Sequence, residues 1–479
     1  MSFTPTSEQL AIVAAARDTT DNLLISARAG AAKPSTLVLI AQALPKVNML
    51  CLAFNKKIAD EMREKLPSSC TSLTLNSLGH RAWAQTTGKR LALKDNKCYT
   101  LLQEELEHLC RGEQDEIYQN MGPILKAIQQ SKSAGHVPDA YAASHPCQCL
   151  MTDDEFFSEL DDIFSPLEQD LILTVLTRSL EMGFAGTVDF ADQLLLPTVF
   201  RAIFPPFSLV LVDEAQDLSE LNHQMLKKLV RRRIIAVGDQ AQAIYAFRGA
   251  HESGMAEMKH KFSMTELSLT TTFRCPEAIV NHVRWRTPDI KHWEGNPNPG
   301  EIHRLDHWSL DPIPDDAAVI CRNNAPLFSL AVKFLRAGRY PNLWGNDIGR
   351  GLLKVMEKLG ARSMQQSAAL QALETWREAQ AKKVKNKSAL EDRAECIRVF
   401  LRATPTLGEA ITFCEHILRS EGRVNLMTGH KSKGHEFDHV YFLDEKLIGD
   451  RDQELNLRYV ICTRAKRTLT YVEMRTLED

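Results

Sequence analysis

Short apolar runs recur along the chain, and most are followed by stretches with apolar residues at helical spacing. Leu23–Ile25, Met49–Ala53, Leu209–Val212, Ile234–Val237, Ala318–Cys321, Val440–Leu443 and Leu469–Val472 read as strands. Runs this short and this continuously apolar suit strands covered on both faces, and their alternation with helices predicts parallel sheets. Two stretches break the rhythm and read as helical. Leu91–Thr187 carries acidic segments (Glu104, Glu105, Glu107, Glu113, Asp115, Glu116), and Gly351–Arg419 is rich in Ala, Leu, Glu and Lys. No repeat of ~20–50 residues is present. The expected fold class is therefore α/β, with two parallel-sheet cores, each carrying a helical insertion.

Length and charge sharpen this only in part. At ~100–200 residues per domain, 479 residues imply several domains. The 58 Lys+Arg nearly cancel the 61 Asp+Glu, so any basic surface must be local. No run approaches the ~18 apolar residues of a membrane span. Met1–Pro5 lacks a basic start followed by an apolar core. An intracellular, cytoplasmic chain without a membrane partner is expected. Eleven scattered cysteines suit reduced thiols. His145, Cys147 and Cys149 are close in sequence, but their spacing is tighter than zinc-ligand patterns and reads as structural. Arg231–Arg233 reads as a solvated turn. The run Lys382–Lys387 reads as a solvated helix end or as a duplex-contacting surface.

Candidate chemistry begins at Ala27–Pro34. This segment follows a strand and opens an apolar helix, Thr36–Leu44, where backbone N–H groups attract anions. The GxxxxGK[ST] pattern is met only at Lys33. Ala32 narrows the approach of a phosphate, and Pro34 removes both a hydroxyl and an N–H. A stronger signal is Phe207–Val212 running into Asp213-Glu214-Ala215-Gln216-Asp217. A buried strand delivering two adjacent carboxylates suits nucleotide hydrolysis, one holding Mg²⁺ and the next polarising water.

That pentapeptide resembles motif II of the UvrD/Rep/PcrA-type superfamily-one DNA helicases, and the resemblance continues in order along nearly the whole chain. Thr6-Ser7-Glu8-Gln9 resembles the Q motif and equally fits a helix capping box. Ala53–Lys56 resembles motif Ia, and Thr74–Arg81 the DNA-contact motif after it. Val188–Asp192 resembles the segment before motif II. Val237–Ala250 matches GDxxQxIYxFRGA throughout. Thr272-Phe273-Arg274 resembles motif IV, Ile320–Asn324 the motif opening the second core, Met427–Phe437 motif V and Glu454–Lys466 motif VI.

The resemblance implies two RecA-like cores with ATP and Mg²⁺ held in the cleft between them. It implies domains at 1–90, 91–187 (insertion), 188–280, 281–350, 351–419 (short insertion) and 420–479. The implied catalytic residues are Lys33, Asp213, Glu214, Gln242, Arg274 and Arg464, the two arginines acting as fingers. Lys33, Asp213, Glu214, Gln242 and Arg274 are expected on the first core, Glu436 and Arg464 on the second. Nucleotide contacts are implied for Gln9, Ala29, Gly30, Ala31, Ala32, Lys33, Pro34, Ser35, Phe273, Arg274, Gly434, Glu436 and Arg464. Asp213 and Ser35 are the implied metal ligands, with Thr36 as an alternative hydroxyl. Single-stranded DNA contacts are implied for Phe54, Asn55, Asn76, His80, Tyr245, Phe247, Arg248, Arg322, Asn324, Thr428 and His430.

The expected function is an ATP-dependent translocase/helicase on single-stranded DNA and ss/ds junctions, moving 3′→5′. Two rivals stay open at this point. One is a nucleotide-gated DNA-binding protein with hydrolysis impaired by Ala32 and Pro34. The other is the motor subunit of a nuclease complex, or of another assembly for repair or recombination.

Overall fold

The computed structural model describes residues 4–245 and 254–478. The chain divides into two compact units, Met1–Ala27 with Ala32–Leu269, and Arg28–Ala31 with Thr270–Asp479. The first holds a six-stranded sheet of β1 (Leu23–Ala27), β2 (Met49–Leu52), β3 (Cys70–Leu73), β4 (Leu209–Val212), β5 (Arg233–Gly238) and β6 (Thr265–Leu269), in the order β3-β2-β4-β5-β1-β6. The second holds β7 (Glu301–Arg304), β8 (Ala318–Cys321), β9 (Pro341–Leu343), β10 (Val424–Thr428), β11 (Phe437–Leu443) and β12 (Ala465–Val472), ordered β7-β12-β11-β8-β10-β9. Every pairing in both sheets is parallel. Parallel strands need covered crossovers, which is why β2, β4 and β8 are buried along their whole length.

The two helical stretches differ in how they pack. Helices Lys97–Leu106, Arg111–Ala134 and Pro166–Ala185 build a core of their own around Leu102, Ile117, Ile124, Ile172 and Val175. The stretch is closed at its base by a two-residue pairing of Ala92–Leu93 with Thr187–Val188. Beside that base lie four buried charges. Asp192 accepts from Lys97 and, at 2.8 Å, from Lys132, whose ammonium also meets Asp189 at 2.5 Å. In the second unit, helices Asn346–Leu359, Gln366–Ala381, Ser388–Ala403 and Leu407–Leu418 share one continuous core with the sheet, where Met356, Leu373, Ile397 and Phe400 join Val319, Phe328 and Leu426.

Two expectations change. The first unit ends at Leu269, so Thr272-Phe273-Arg274 belongs to the second unit rather than to the first core. Arg233 is no solvated turn residue. It opens β5, and its guanidinium donates to Ala16 O (2.6 Å), a carbonyl in the last turn of helix Ser7–Asp18, and to Asp21 O (2.7 Å) beyond that helix.

Candidate nucleotide and nucleic-acid site

In the first unit the chemistry gathers where β4 and β5 end and helix Lys33–Ala43 begins. Ala32 precedes that helix at φ 55°, ψ 44°, and Glu214 follows β4 at φ 51°. These are left-handed conformations that cost an L-residue roughly 1–2 kcal/mol, and strain of this kind concentrates at functional turns. Lys33 is buried, and its Nζ lies 3.0 Å from Glu214 Oε2. Burial alone would lower its pKa, but Glu214, Asp239 and Asp213 outweigh that and raise it, so the ammonium stays charged. Asp213 has the opposite balance. Burial and the Glu214 charge push it up to about 7, against the pull of Lys33 and the Glu214 N–H. Its Oδ1 accepts that N–H at 2.9 Å, while Oδ2 is buried with no hydrogen-bond partner.

Gln216, which sequence reasoning left without a role, ties the two strand ends together. Its Nε2 donates to Glu214 Oε2 (2.6 Å) and Asp217 Oδ2 (3.2 Å), and its Oε1 accepts the Asp239 N–H (2.9 Å). Asp239 Oδ2 in turn accepts from Gln242 Nε2 at 2.6 Å. A polar chain thus runs Lys33–Glu214–Gln216–Asp239–Gln242. Gly238 makes room for it, since a Cβ there would sit 2.6 Å from Gln216 Oε1. The glutamine of Asp-Glu-Ala-Gln-Asp was the available signal, three residues on from the metal-ligand candidate.

The nucleotide candidates N-terminal to this chain are placed less uniformly. Gln9 is fully buried and completes the capping box, accepting the Thr6 N–H at 3.0 Å, while its Nε2 donates to Thr36 Oγ1 at 3.0 Å. Thr36 Oγ1 donates to Ala32 O. Pro34 stands in the first turn, where its missing N–H costs no helix bond. Pro34 and Ser35 are exposed and line a groove with Leu39, Gln42, Met62 and Lys65, whereas Asp213 lines a different concavity with Phe54, Asn76 and Asp217. The orphaned Asp213 oxygen fits a cation. The Ser35 hydroxyl expected beside it opens onto the other groove, because successive residues turn about 100° round a helix.

On the same unit, Phe54 is 46% exposed and its ring lies parallel to Tyr245, with centroids 6.3 Å apart and planes 7° apart. Asn55 caps helix Lys56–Lys65, Asn76 Nδ2 donates to Phe190 O, and His80 Nδ1 meets Gln193 Nε2 at 3.2 Å. Phe247 and Arg248 lie outside the described residues.

In the second unit, Gly30 (φ 72°) lies against Arg274 and Thr272, where a Cβ would come within 2.6 Å of both. The Phe273 N–H donates to Gly30 O at 2.9 Å, and the Ala29 N–H donates to the Tyr459 hydroxyl at 3.1 Å. Ala29 and Ala31 are buried. Arg274 Nε meets Glu436 Oε2 at 2.7 Å. Arg464 is buried, and its guanidinium donates to Val460 O, His435 O and Thr463 Oγ1. Since the Phe437 N–H donates back to Arg464 O, Arg464 braces the segment that carries Glu436. Gly434 takes φ 87° with open space beside it. Phe273 packs on Trp293, ring centroids 5.2 Å apart. Arg322 forms a two-pronged pair with Glu454, and Asn324 with its N–H and side chain binds Asp392. Thr428 is buried at the start of the short helix Gly429–Ser432, which carries a half-buried His430.

Residues 6–263 match the UvrD/REP helicase N-terminal domain, and residues 424–472 match the UvrD-like helicase C-terminal domain. The chain belongs to the UvrD/REP helicase family. It is similar to F-box DNA helicase protein 1 of Schizosaccharomyces pombe (23% identity, covering 97% of this chain and 57% of that protein) and to F-box DNA helicase 1 of Gallus gallus (25%, covering 93% and 46%). It is also similar to ATP-dependent DNA helicase PcrA of Leuconostoc citreum (24%, covering 64% and 43%). The chain spans about half the length of these curated relatives. In this member of the UvrD/REP family each unit has the parallel, helix-covered sheet of a RecA-like core. Among the described residues no helix is long and apolar enough to cross a membrane.

Proposed function

We propose that this chain is an ATP-dependent motor on single-stranded DNA, moving 3′→5′ and separating duplexes at ss/ds junctions. The observation that carries the reading is the buried polar chain from Lys33 through Glu214, Gln216 and Asp239 to Gln242, beside an Asp213 oxygen without a partner. Lys33 supplies a fixed positive charge for phosphate oxygens. Asp213 would hold Mg²⁺, whose bound charge neutralises phosphate oxygens and draws the carboxyl into its ionised form. Glu214 orients water, and Gln242 links the phosphate end of the site to the segment that runs on to the DNA-side aromatics. Within the second unit, Arg274 is held by Glu436 and Arg464 braces the segment that carries Glu436; the finger role of both arginines rests on the resemblance of their motifs. Phe54 and Tyr245 form a parallel aromatic pair that grips bases by stacking, worth ~1–3 kcal/mol per base and blind to sequence. The direction rests on the resemblance of Val237–Ala250.

A second reading, a nucleotide-gated DNA binder with slowed hydrolysis, is favoured by one observation. Pro34 has no hydroxyl, Ser35 faces another groove, and the Thr36 hydroxyl is engaged by Gln9 and Ala32. Phosphate release with and without single-stranded DNA, and strand separation of 3′-tailed against 5′-tailed duplexes, decide between the two, with Lys33→Ala as control. DNA-stimulated release and 3′-tailed unwinding support the motor. DNA binding that responds to nucleotide without phosphate release supports the gate. Membership of a nuclease or repair assembly is tested by co-purification.

A further inference from the structure

Cys147 and Cys149 take no part in the site above. They lie in the irregular segment between helices Asp139–Ser144 and Asp153–Glu159, both partly buried and both reduced. Their sulfurs are 3.3 Å apart, in direct contact. The exposed Gln148 between them is fixed by its N–H donating to Val199 O at 3.0 Å. One residue on, Leu150 N–H donates to Gly135 O at 3.2 Å, so the segment is pinned on both sides of Cys149. The two thiols pack against the apolar cluster of Trp83, Tyr141, Leu196 and Val199.

His145 does not complete a metal centre with them. Its ring stacks on Tyr141, centroids 4.0 Å apart and planes 9° apart, and its Nδ1 is engaged by Tyr141 O and Ser144 Oγ. Two sulfurs without a third ligand suit a covalent bond between them better than a metal ion. Burial, then the hydrogen bond to Cys147, push the Cys149 thiol up to about 12. With the two sulfurs in contact, oxidation of Cys147 first is an order that Cys149→Ser tests.

We propose that Cys147 and Cys149 are a reversible redox site, closing to an intrachain disulfide when the chain meets a peroxide. In the first step the Cys147 sulfur attacks the O–O bond of the peroxide. It becomes a sulfenic acid, and one water (from hydrogen peroxide) leaves. In the second, the Cys149 thiol attacks the Cys147 sulfur and the sulfenic hydroxyl departs as a second water, so two thiols are oxidised and one peroxide is reduced. The sulfurs close from 3.3 Å to about 2.0 Å, a small shift shared by two side chains whose backbone is already held. This site stands independently of the motor function.

The test treats the full reduced chain with hydrogen peroxide, blocks remaining thiols with iodoacetamide, and maps peptides by mass. The expected result is a peptide holding residues 147 and 149 that has lost two hydrogens, resists alkylation, and regains both alkylation sites after dithiothreitol. In Cys149→Ser the second step is blocked, so Cys147 accumulates as a sulfenic acid trapped by dimedone. The proposal is overturned if both thiols remain alkylatable once the exposed Cys110 has been oxidised. It is equally overturned if Cys147 passes to sulfinic acid in the unmodified chain with no crosslink to Cys149.

Discussion

Gln216→Ala removes the residue that joins the two strand ends of the first unit, and its cost can be worked from the contacts. The bond from Nε2 to the Glu214 carboxylate is charge-assisted, worth ~1.5–3 kcal/mol. Losing Oε1 leaves the buried Asp239 N–H without its acceptor, costing about 1–3 kcal/mol. The weaker contact to Asp217 adds little. The expected destabilisation is about 3–5 kcal/mol, near the upper end for a single substitution. Asp239 also anchors Gln242, so on the proposed function its release misplaces a group of the phosphate site, and a misplacement of about 1 Å costs on the order of 10²-fold in turnover. Urea unfolding followed by circular dichroism reads the first effect, and phosphate release under saturating single-stranded DNA reads the second. Gln216→Glu is the informative partner. It restores an acceptor for Asp239 but sets a third carboxylate beside Glu214 and Asp217, so it should compare better with the parent chain at pH 5 than at pH 8. Unchanged stability and unchanged turnover in Gln216→Ala would refute the reasoning.

Three further predictions follow from named contacts. Pro34→Thr returns a hydroxyl to the first helical turn; position 34 lines the groove away from Asp213, so DNA-stimulated turnover at limiting Mg²⁺ should rise, by up to roughly 10–100-fold as for groups that tune a metal site, only where this turn reorients on binding nucleotide. Its melting temperature should fall slightly, because proline restricts the unfolded chain by about 0.4–1 kcal/mol; equal rates would remove Pro34 as the limiting feature. Asp192→Ala strips a shared carboxylate from the buried Lys97 and Lys132, and breaking a buried pair should cost about 3–5 kcal/mol, with proteolysis first cutting within the helical stretch after Leu93. His136 is buried, with Nδ1 on Ser131 Oγ and Nε2 on Asp153 Oδ1, each at 2.7 Å, and burial holds its pKa below the ordinary histidine value. The unfolded chain therefore takes up the proton first, so stability should drop as pH falls through about 6.5, and this slope of melting temperature should flatten in His136→Gln.

The sheet centres were legible in the sequence and the edges were not. β1, β2, β4, β5, β8, β11 and β12 carry apolar runs because neighbours or helices cover them. The unread strands β3, β6, β7 and β9 are the outermost members of the two sheets. There polar residues are tolerated, as in Cys70-Thr71-Ser72-Leu73 or Glu301-Ile302-His303-Arg304. β10 is interior yet escaped notice because Asn425 interrupts it, a residue satisfied by Asn342 and Trp344. Motif resemblance located Lys33, Glu214 and Gln242, which the fold brings into one polar chain, and Asp213 beside it. It gave no warning that Asn55, Asn76, Arg322 and Asn324, read as DNA contacts, carry internal hydrogen bonds, since a motif records position and not partner. Gln216 lies inside a readable motif, but its role comes from the fold, because its partner Asp239 is 23 residues away.

The central claim is that nucleotide turnover at Lys33, Asp213 and Gln242 is coupled to a single-stranded DNA grip. Its most direct measurement is steady-state phosphate release titrated with single-stranded DNA, for the parent chain and for Lys33→Ala. The account predicts release that rises and saturates with DNA in the parent chain and is abolished in Lys33→Ala, whose DNA binding persists. Release that ignores DNA, or that survives the loss of Lys33, would contradict it.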